Sequence, residues 1–356
     1  MTKTVLLLGA GASVADVATR SLKSRPPVDR RFFHIAALAD PNDWRPQAVR
    51  RYFTDHYGLD IFQPDHDSVE GIMGRLYPDL FNELLERDAL TTFRALLQLF
   101  TDRLATTTND LRATQKRLLY RMLSRLLAEG AEPTDITIVT FNQDIQAEKI
   151  LEHLGQARRW APLASRLFSF PHMYSVARGT WERISGPGHD VFPHGRPGDD
   201  CLRVLKLHGS LNWYSTHTSS TPSRNAMFRP NRRLSVTRRR TISPDMGLRG
   251  RRRMYTLPVV VPPVTHKSAV LHEALSDVWK LAEERLVEAD NVVVFGYSCP
   301  ALDFESANLL TRAHRKRRPG SSLSVIDPNG AVLTRYIDVL APSRLSYYAS
   351  GHEYLA

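Results

Sequence analysis

The sequence predicts an α/β fold, a Rossmann-like doubly wound parallel sheet with an inserted helical subdomain. Short apolar runs typical of buried strands alternate with amphipathic helical patterns along most of the chain. Nearly all of these runs end in small or polar residues, as strands do at the ligand-binding edge of an open parallel sheet. Between the first run and the second, the period is helical, which indicates an insertion.

The composition is that of an ordinary globular protein. The chain has 356 residues, with 42% apolar and 24% charged residues, enough for one large domain or two moderate ones. No apolar run approaches the roughly 18 residues of a membrane-spanning helix, and the N-terminal run is too short for a signal peptide. Two cysteines, Cys201 and Cys299, are too few for a disulfide framework or a four-cysteine zinc site. We therefore expect a cytoplasmic protein without a metal.

The first predicted strand is Thr4–Leu8, and it is followed by the small residues Gly9-Ala10-Gly11-Ala12-Ser13. Two glycines allow a tight turn and a close approach of a ligand phosphate to the backbone N–H groups. The following segment, 14–22, has a helical pattern. The third glycine of the dinucleotide-binding pattern is missing, so a plain strand-to-helix connection is an equally good interpretation.

Residues 41–130 are predicted to form a helical insertion, which divides the main domain into 1–40 and 131–356. Apolar residues recur there at spacings of three and four in two segments. They are Phe93, Leu96, Leu97, Phe100 and Leu104 in one segment, and Leu119, Met122, Leu123, Leu126 and Leu127 in the other. We expect an antiparallel helical pair that packs as a core or as an oligomer surface.

The rest of the chain alternates between predicted strands and helices. The strands fall at 136–140, 202–207, 257–261, 291–295, 323–326 and 345–348, and the helices at 145–154, 269–288, 303–315 and 331–340. In a parallel sheet, the ends of such strands share one edge. That edge is expected to collect residues 9–13, 142–144, 208–210, 262–263, 296–298 and 327–329.

His208 is the one candidate acid or base that directly follows a predicted strand. Its ordinary pKa near neutrality suits proton transfer. A structural or solvent-exposed histidine is the alternative.

Four further side chains at the strand ends each have two interpretations. Asn142 could hold a ribose hydroxyl or a water, or cap the helix that follows. Asp144 could accept from a carboxamide, or complement the helix N-terminus. Ser13 and Ser298 could donate to a phosphate, or cap helices.

Four motifs in this order resemble those of the sirtuin family, most closely the sirtuin-like NADase effectors of bacterial anti-phage defence systems. They are Gly9-Ala10-Gly11-Ala12-Ser13, Thr140-Phe141-Asn142-Gln143-Asp144, Lys206-Leu207-His208-Gly209-Ser210 and Phe295-Gly296-Tyr297-Ser298. The resemblance covers most of the chain apart from the helical insertion and an arginine-rich segment. It implies an NAD-binding fold with NAD as substrate.

The resemblance also implies roles. Asn142 would position ribose hydroxyls or the attacking water, Asp144 would lie near the nicotinamide amide, and His208 would be the general base. The implied contacts to NAD come from Gly9, Ala10, Gly11, Ala12 and Ser13 at the pyrophosphate, from Gly296 and Ser298 at the far phosphate and ribose, from Asp327 or Asn329 at the adenosine end, and from Thr140 and Gly209.

Two departures bear on the reaction. The four-cysteine zinc module and the acyl-lysine channel of sirtuin deacetylases have no counterpart in the sequence. NAD hydrolysis is therefore expected, as in the defence members. A deacylase, an ADP-ribosyltransferase and a non-catalytic NAD-binding scaffold remain alternatives. The resemblance implies a homo-oligomer or a partner defence protein, such as an ATPase or a nucleic-acid-guided sensor.

The segment Arg224 to Arg253 contains eleven arginines and one acid, Asp245, so it supplies +10 of the net charge of +11. We expect an arginine-rich loop over 218–255 within the main domain. It could contact nucleic acid or an acidic partner, or it could be a solvated loop.

Overall fold

The computed structural model describes residues 2–15, 32–33, 43–63, 68–108, 117–170, 173–174, 200–218, 235–236, 245–249, 252–261, 273–300, 303–340 and 344–356. Among the helices within these ranges, none combines the length and apolarity that a membrane crossing needs.

In chain order the strands are β1 (Thr4–Leu8), β2 (Ile136–Thr140), β3 (Arg203–Lys206), β4 (Gly209–Thr218), β5 (Ser235–Val236), β6 (Asp245–Arg249), β7 (Arg252–Val260), β8 (Asn291–Phe295), β9 (Ser322–Ile326) and β10 (Leu345–Tyr348). The helices are α1 (Ala10–Ala15), α2 (Trp44–Tyr57), α3 (Val69–Asp79), α4 (Glu86–Thr108), α5 (Leu118–Ala128), α6 (Gln146–Gln156), α7 (Ala164–Leu167), α8 (Glu273–Glu288), α9 (Phe304–Lys316), α10 (Val332–Leu340) and α11 (Gly351–Leu355). Short 3₁₀ turns, Pro133–Asp135 and Ala161–Leu163, precede β2 and α7.

Six strands form one parallel sheet in the order β10-β9-β8-β1-β2-β3. Counted in chain order within this sheet, the strand order is 3-2-1-4-5-6, which is the Rossmann order. Right-handed crossovers then place α5 and α6 on one face and α8, α9 and α10 on the other. The helices within each group pack against one another. The predicted doubly wound α/β fold is confirmed.

Local periodicity predicted the strands of this sheet to within a residue or two, because all of them except the edge strand β10 are largely buried. All five residues of β1 and of β2 are buried. The helix after β1 begins at Ala10, earlier than the predicted start at residue 14, and residues 16–22 of that prediction lie outside the described residues.

The two apolar stripes of the helical stretch belong to different cores. Phe93, Leu96 and Leu104 of α4 pack with Val49 and Phe53 of α2 in a separate hydrophobic cluster. The α5 stripe, which includes Leu119, Met122 and Leu123, packs into the core of the parallel sheet. The expected antiparallel pairing of these two helices is therefore wrong. An amphipathic pattern fixes which face is buried but does not name the partner.

A second, antiparallel sheet has the order β5-β4-β7-β6. The predicted strand 257–261 falls within and just after β7 of this sheet, so its expected place in the parallel sheet is wrong. Residues 262–263, expected at the ligand-binding edge, lie outside the described residues. The described parts of the predicted arginine-rich loop 218–255 are strands, which corrects that expectation.

Candidate active site

The order of the strands in the parallel sheet reverses between β1 and β8. These two strands are neighbours in the sheet although most of the chain separates them. Ligands of open α/β sheets bind at such a switch point, outside the carboxyl ends of the strands. Two segments meet there: residues 9–13, which comprise Gly9 and the start of α1 and are called the β1 loop below, and the loop after β8, residues 296–298. The Gly9 N–H donates to Phe295 O at 3.1 Å, and the Gly11 N–H donates to Gly296 O at 2.9 Å.

The glycines of these loops allow the two backbones to touch. A Cβ on Gly9 would lie 2.5 Å from Gly296 O, and one on Gly11 would lie 2.8 Å from the same atom. Gly296 has a φ of +62°, and its Cβ would lie 2.6 Å from Gly11 Cα and would also clash with Ala12 N. Loop packing thus accounts for these glycines, whereas the sequence alone had linked Gly9 and Gly11 to phosphate approach.

A chain of hydrogen bonds joins the β1 loop to the end of β2. The Asn142 amide Nδ2 donates to Gly9 O at 2.8 Å and to Ser13 Oγ at 3.1 Å. Ser13 Oγ donates in turn to Asp144 Oδ2 at 2.7 Å. Thr140 Oγ1 accepts from the Asn142 backbone N–H at 3.0 Å. The structure therefore brings Ser13, Thr140, Asn142 and Asp144 together.

These contacts decide between the interpretations of two side chains. Asp144 Oδ1 accepts from the Gln146 N–H at 3.0 Å, so this carboxylate does complement the first turn of α6. Asn142 does not cap α6, because its amide is directed to the β1 loop instead. Asn142 is half-buried and Asp144 is buried.

A small cavity lies beside this chain of hydrogen bonds. Its volume of about 20 Å³ fits one water molecule. Its polar lining comes from Ser13, Thr140, Asn142, Asp144, Gln146 and Lys206, and its apolar lining from Leu8, Ala12, Leu119, Ala147 and Ile150. A dinucleotide is far larger and would lie along the edge of the sheet outside this cavity.

A buried ion pair, Lys206 and Glu148, adjoins the cavity. The Lys206 ammonium donates to Glu148 Oε1 at 3.0 Å and to the backbone oxygen of Asp144. Both side chains are almost fully buried, at 1% and 3% exposure. The Tyr174 hydroxyl donates to Glu148 Oε1 at 2.9 Å, and burial together with this carboxylate raises the pKa of Tyr174 well above its usual value.

Sequence reasoning did not include Lys206, Glu148 or Tyr174 among the functional residues. A lysine within a predicted buried strand, 202–207, was the signal that could have found the first of them, because lysine is almost never fully buried unless it is paired. Glu148 carries no such signal, because an acid in the first turn of a helix is common.

His208 follows β3 at the same edge of the sheet but lies among aromatic rings. Its ring centroid is 5.4 Å from that of Phe141 and 6.2 Å from that of Trp279 on α8. Phe141 stacks on Tyr297 at 4.0 Å. Consecutive side chains of an extended segment point to opposite sides, so Phe141 and Asn142 have different neighbours. His208 is buried, which excludes the solvent-exposed interpretation.

Gly209 belongs to the junction between the two sheets. Its φ is +73°, and a Cβ there would lie 2.9 Å from the carbonyl carbon of Val259. Gly209 pairs with Val260 at the start of β4. Its conformation is set by the close approach of β7.

The remaining predicted residues lie on the other side of the switch point. Ser298 is exposed after β8. After β9, Asp327 Oδ1 accepts from the Asn329 N–H at 2.9 Å, and Asn329 Oδ1 accepts from the Ala331 N–H at 3.1 Å. Burial raises the pKa of the Asp327 carboxyl.

Two alanines after β1 were also predicted to contact the ligand. Ala10 is exposed at the edge of the sheet, whereas Ala12 is buried.

The described residues contain no group of histidines, cysteines or acids arranged to hold a metal ion. Cys201 and Cys299 are both buried free thiols, and burial raises the pKa of Cys299 to about 11.

Replacement of Gly296 by alanine should destabilise the fold by about 2–5 kcal/mol, since a left-handed residue costs about 1–2 kcal/mol and the clash with the β1 loop adds about 1–3 kcal/mol. Gly320→Ala is the matched control, because Gly320 has a φ of +87° and no atom within 4 Å of its added Cβ. Urea unfolding measures both free energies. Equal losses would show that the two loops do not need this close contact.

Lys206→Met should cost about 3–5 kcal/mol of unfolding free energy, because it leaves the Glu148 carboxylate buried without its cation. The double variant Lys206→Met/Glu148→Gln should recover much of that loss. The exposed pair of Lys3 and Glu288 is the control, and Lys3→Met should cost less than about 1 kcal/mol. A Lys206→Met loss as small as that of Lys3→Met would contradict the prediction.

No protein-family model and no curated protein matches the chain. Among solved structures, the chain is similar to two structures of a Sir2 homologue, each of a single-residue mutant in complex with ADP-ribose. In both cases the identity is 14%, the match covers 99% of this chain and 89% of the other, and the TM-score is 0.43. At these values the similarity assigns no residue roles to this chain.

Proposed function

We propose that the protein binds NAD along the edge of the parallel sheet and hydrolyses the nicotinamide–ribose bond to give nicotinamide and ADP-ribose. The observation that carries the proposal is the water-sized cavity lined by Ser13, Asn142 and Asp144 at the switch point of the sheet. A hydrolase needs one water held in place, and this cavity offers polar groups for it.

The pyrophosphate is proposed to lie against the outside of the switch-point loops, where the Gly9 and Gly11 N–H groups are not available to it because they donate to Phe295 O and Gly296 O. Residues 9–13 and 296–298 form the two sides of this point, and the resemblance of their motifs to sirtuin motifs supports the same assignment. Asp327 and Asn329, one strand further along the sheet, would then lie at the adenosine end. Thr140 and Gly209 complete the proposed contacts, since each adjoins a proposed catalytic residue.

The reaction breaks the bond from the ribose C1′ to the nicotinamide nitrogen. The bonding pair stays with that nitrogen, so nicotinamide leaves as a neutral molecule and the ribose gains oxocarbenium character. The Asp144 carboxylate provides negative charge beside the cavity, which stabilises positive charge on the sugar. Asn142 would orient the water or the ribose hydroxyls.

Water then forms the new bond to C1′ and loses one proton. His208 follows β3 at the same edge of the sheet but is not among the residues that line the cavity. It is the proposed acceptor of this proton, because histidine is the side chain that most often serves as a general base. The buried Lys206–Glu148 pair holds the backbone at Asp144 and thus the carboxylate that adjoins the cavity.

The biological role proposed here is that of an NAD-depleting effector of a bacterial anti-phage defence system. The order of the four motifs supports this role. We further propose that the protein works in the cytoplasm as a homo-oligomer or with a partner defence protein, either an ATPase or a nucleic-acid-guided sensor.

Purified protein should bind NAD, consume it and release nicotinamide and ADP-ribose. His208→Gln should lower kcat by about 100-fold or more, the usual effect of losing a general base. His153→Gln is the matched control, since His153 lies on α6 with its ring 5.9 Å from that of Tyr120, and it should retain full activity. Chromatography of the products measures NAD hydrolysis, and calorimetric titration with NAD measures its binding.

Three results would contradict the proposal. The first is an acyl-ADP-ribose product in the presence of an acylated peptide, which would indicate a deacylase. The second is unchanged NAD hydrolysis by His208→Gln, which would remove the proposed base. The third is the absence of any NAD binding by the folded chain.

A further inference from the structure

The strongest concentration of charge in the sequence is the arginine-rich segment 224–253, of whose arginines Arg249, Arg252 and Arg253 lie on described strands of the antiparallel sheet. Between residues 224 and 253 there are eleven arginines, no lysine and one acid. The described residues of this segment belong to strands β5, β6 and β7. The positive charge is therefore carried in part by a hydrogen-bonded sheet.

The register of β6 and β7 concentrates this charge at one end of the pair. Arg249 lies opposite Arg252, and Leu248 lies opposite Arg253. Only Gly250 and Arg251 stand between the two strands in the sequence. Like charges placed directly opposite each other destabilise an antiparallel pair. An anion bound at this end would remove that cost.

We propose that this arginine-rich end of β6 and β7 binds the phosphate backbone of nucleic acid. The guanidinium group is a planar fork that pairs with phosphate through two hydrogen bonds, and it is the cation of choice for nucleic-acid recognition. The use of arginine at all eleven basic positions fits this ligand. An acidic protein surface is the alternative, but it would have to supply several Asp and Glu side chains, which are depleted at protein interfaces.

The kind of binding follows from the residues present. Only one aromatic residue, Phe228, occurs between residues 224 and 253, so stacking on bases has little to contribute. Contacts to phosphates carry no base sequence information. The binding is therefore expected to be independent of sequence and strongly dependent on salt.

The strand pair β6 and β7 lies at one end of the antiparallel sheet. Among the described strands, β6 is at the edge and pairs with β7 alone. The residues involved take no part in the proposed NAD chemistry. Failure of nucleic-acid binding would therefore leave the proposed hydrolase intact, and the reverse also holds.

The full chain should bind a fluorescein-labelled DNA duplex of about 30 base pairs, as measured by fluorescence anisotropy between about 50 and 200 mM salt. Neutralisation of about four phosphates predicts a slope of about −3.6 for the logarithm of affinity against that of salt concentration. The triple variant R249Q/R252Q/R253Q should bind at least about 10-fold more weakly and with a shallower slope.

The matched control is R312Q/R315Q/R318Q, which removes the same charge from exposed positions on and just after α9. It should change the affinity by less than about 2-fold. If R249Q/R252Q/R253Q does not fold, the single variants R249Q and R252Q replace it, each with a salt slope that is shallower by about 1. Equal losses in the arginine-segment variant and the control, or binding to polyglutamate but not to DNA, would overturn the proposal.

Discussion

The backbone contact between the loops after β1 and β8 is the constraint on which the site depends. In a sheet of Rossmann order, these two loops lie at the switch point, where open α/β sheets form a ligand-binding crevice. Here Gly9, Gly11 and Gly296 let the two backbones meet and hydrogen-bond directly. The meeting fixes the carbonyl oxygen of Gly9, which accepts from the Asn142 amide. Loop packing therefore orients the side chain that lines the cavity.

The polar groups at the end of β2 are held from three directions. Ser13 links the Asn142 amide to the Asp144 carboxylate, and the first turn of α6 donates to the same carboxylate. Beneath them, Lys206 is paired with Glu148 in the core. A buried charge pair costs desolvation free energy, so it is weak as a general source of stability. In this position it fixes the backbone from which a candidate catalytic carboxylate extends.

The two sheets share a junction at His208. β3 ends just before this residue and β4 begins just after it, while the Val261 N–H at the end of β7 donates to His208 O at 2.9 Å. Trp279 of α8 donates to Leu207 O at 2.8 Å on the other side. The backbone that carries the imidazole is thus held between the parallel sheet, the antiparallel sheet and α8, which suits a group whose position matters for proton transfer.

The parallel strands, most of the helices and the polar residues at the strand ends can be predicted from the sequence, because burial period and turn residues are local properties. The partners of these elements depend on the fold: α5 packs on the sheet and α4 packs elsewhere, and β7 pairs with β4 in a second sheet. Lys206, Glu148 and the water-sized cavity also appear only there, since they arise where β3, α6 and the β1 loop meet. A pattern along the chain records which residues are buried, but packing in space decides against what they are buried.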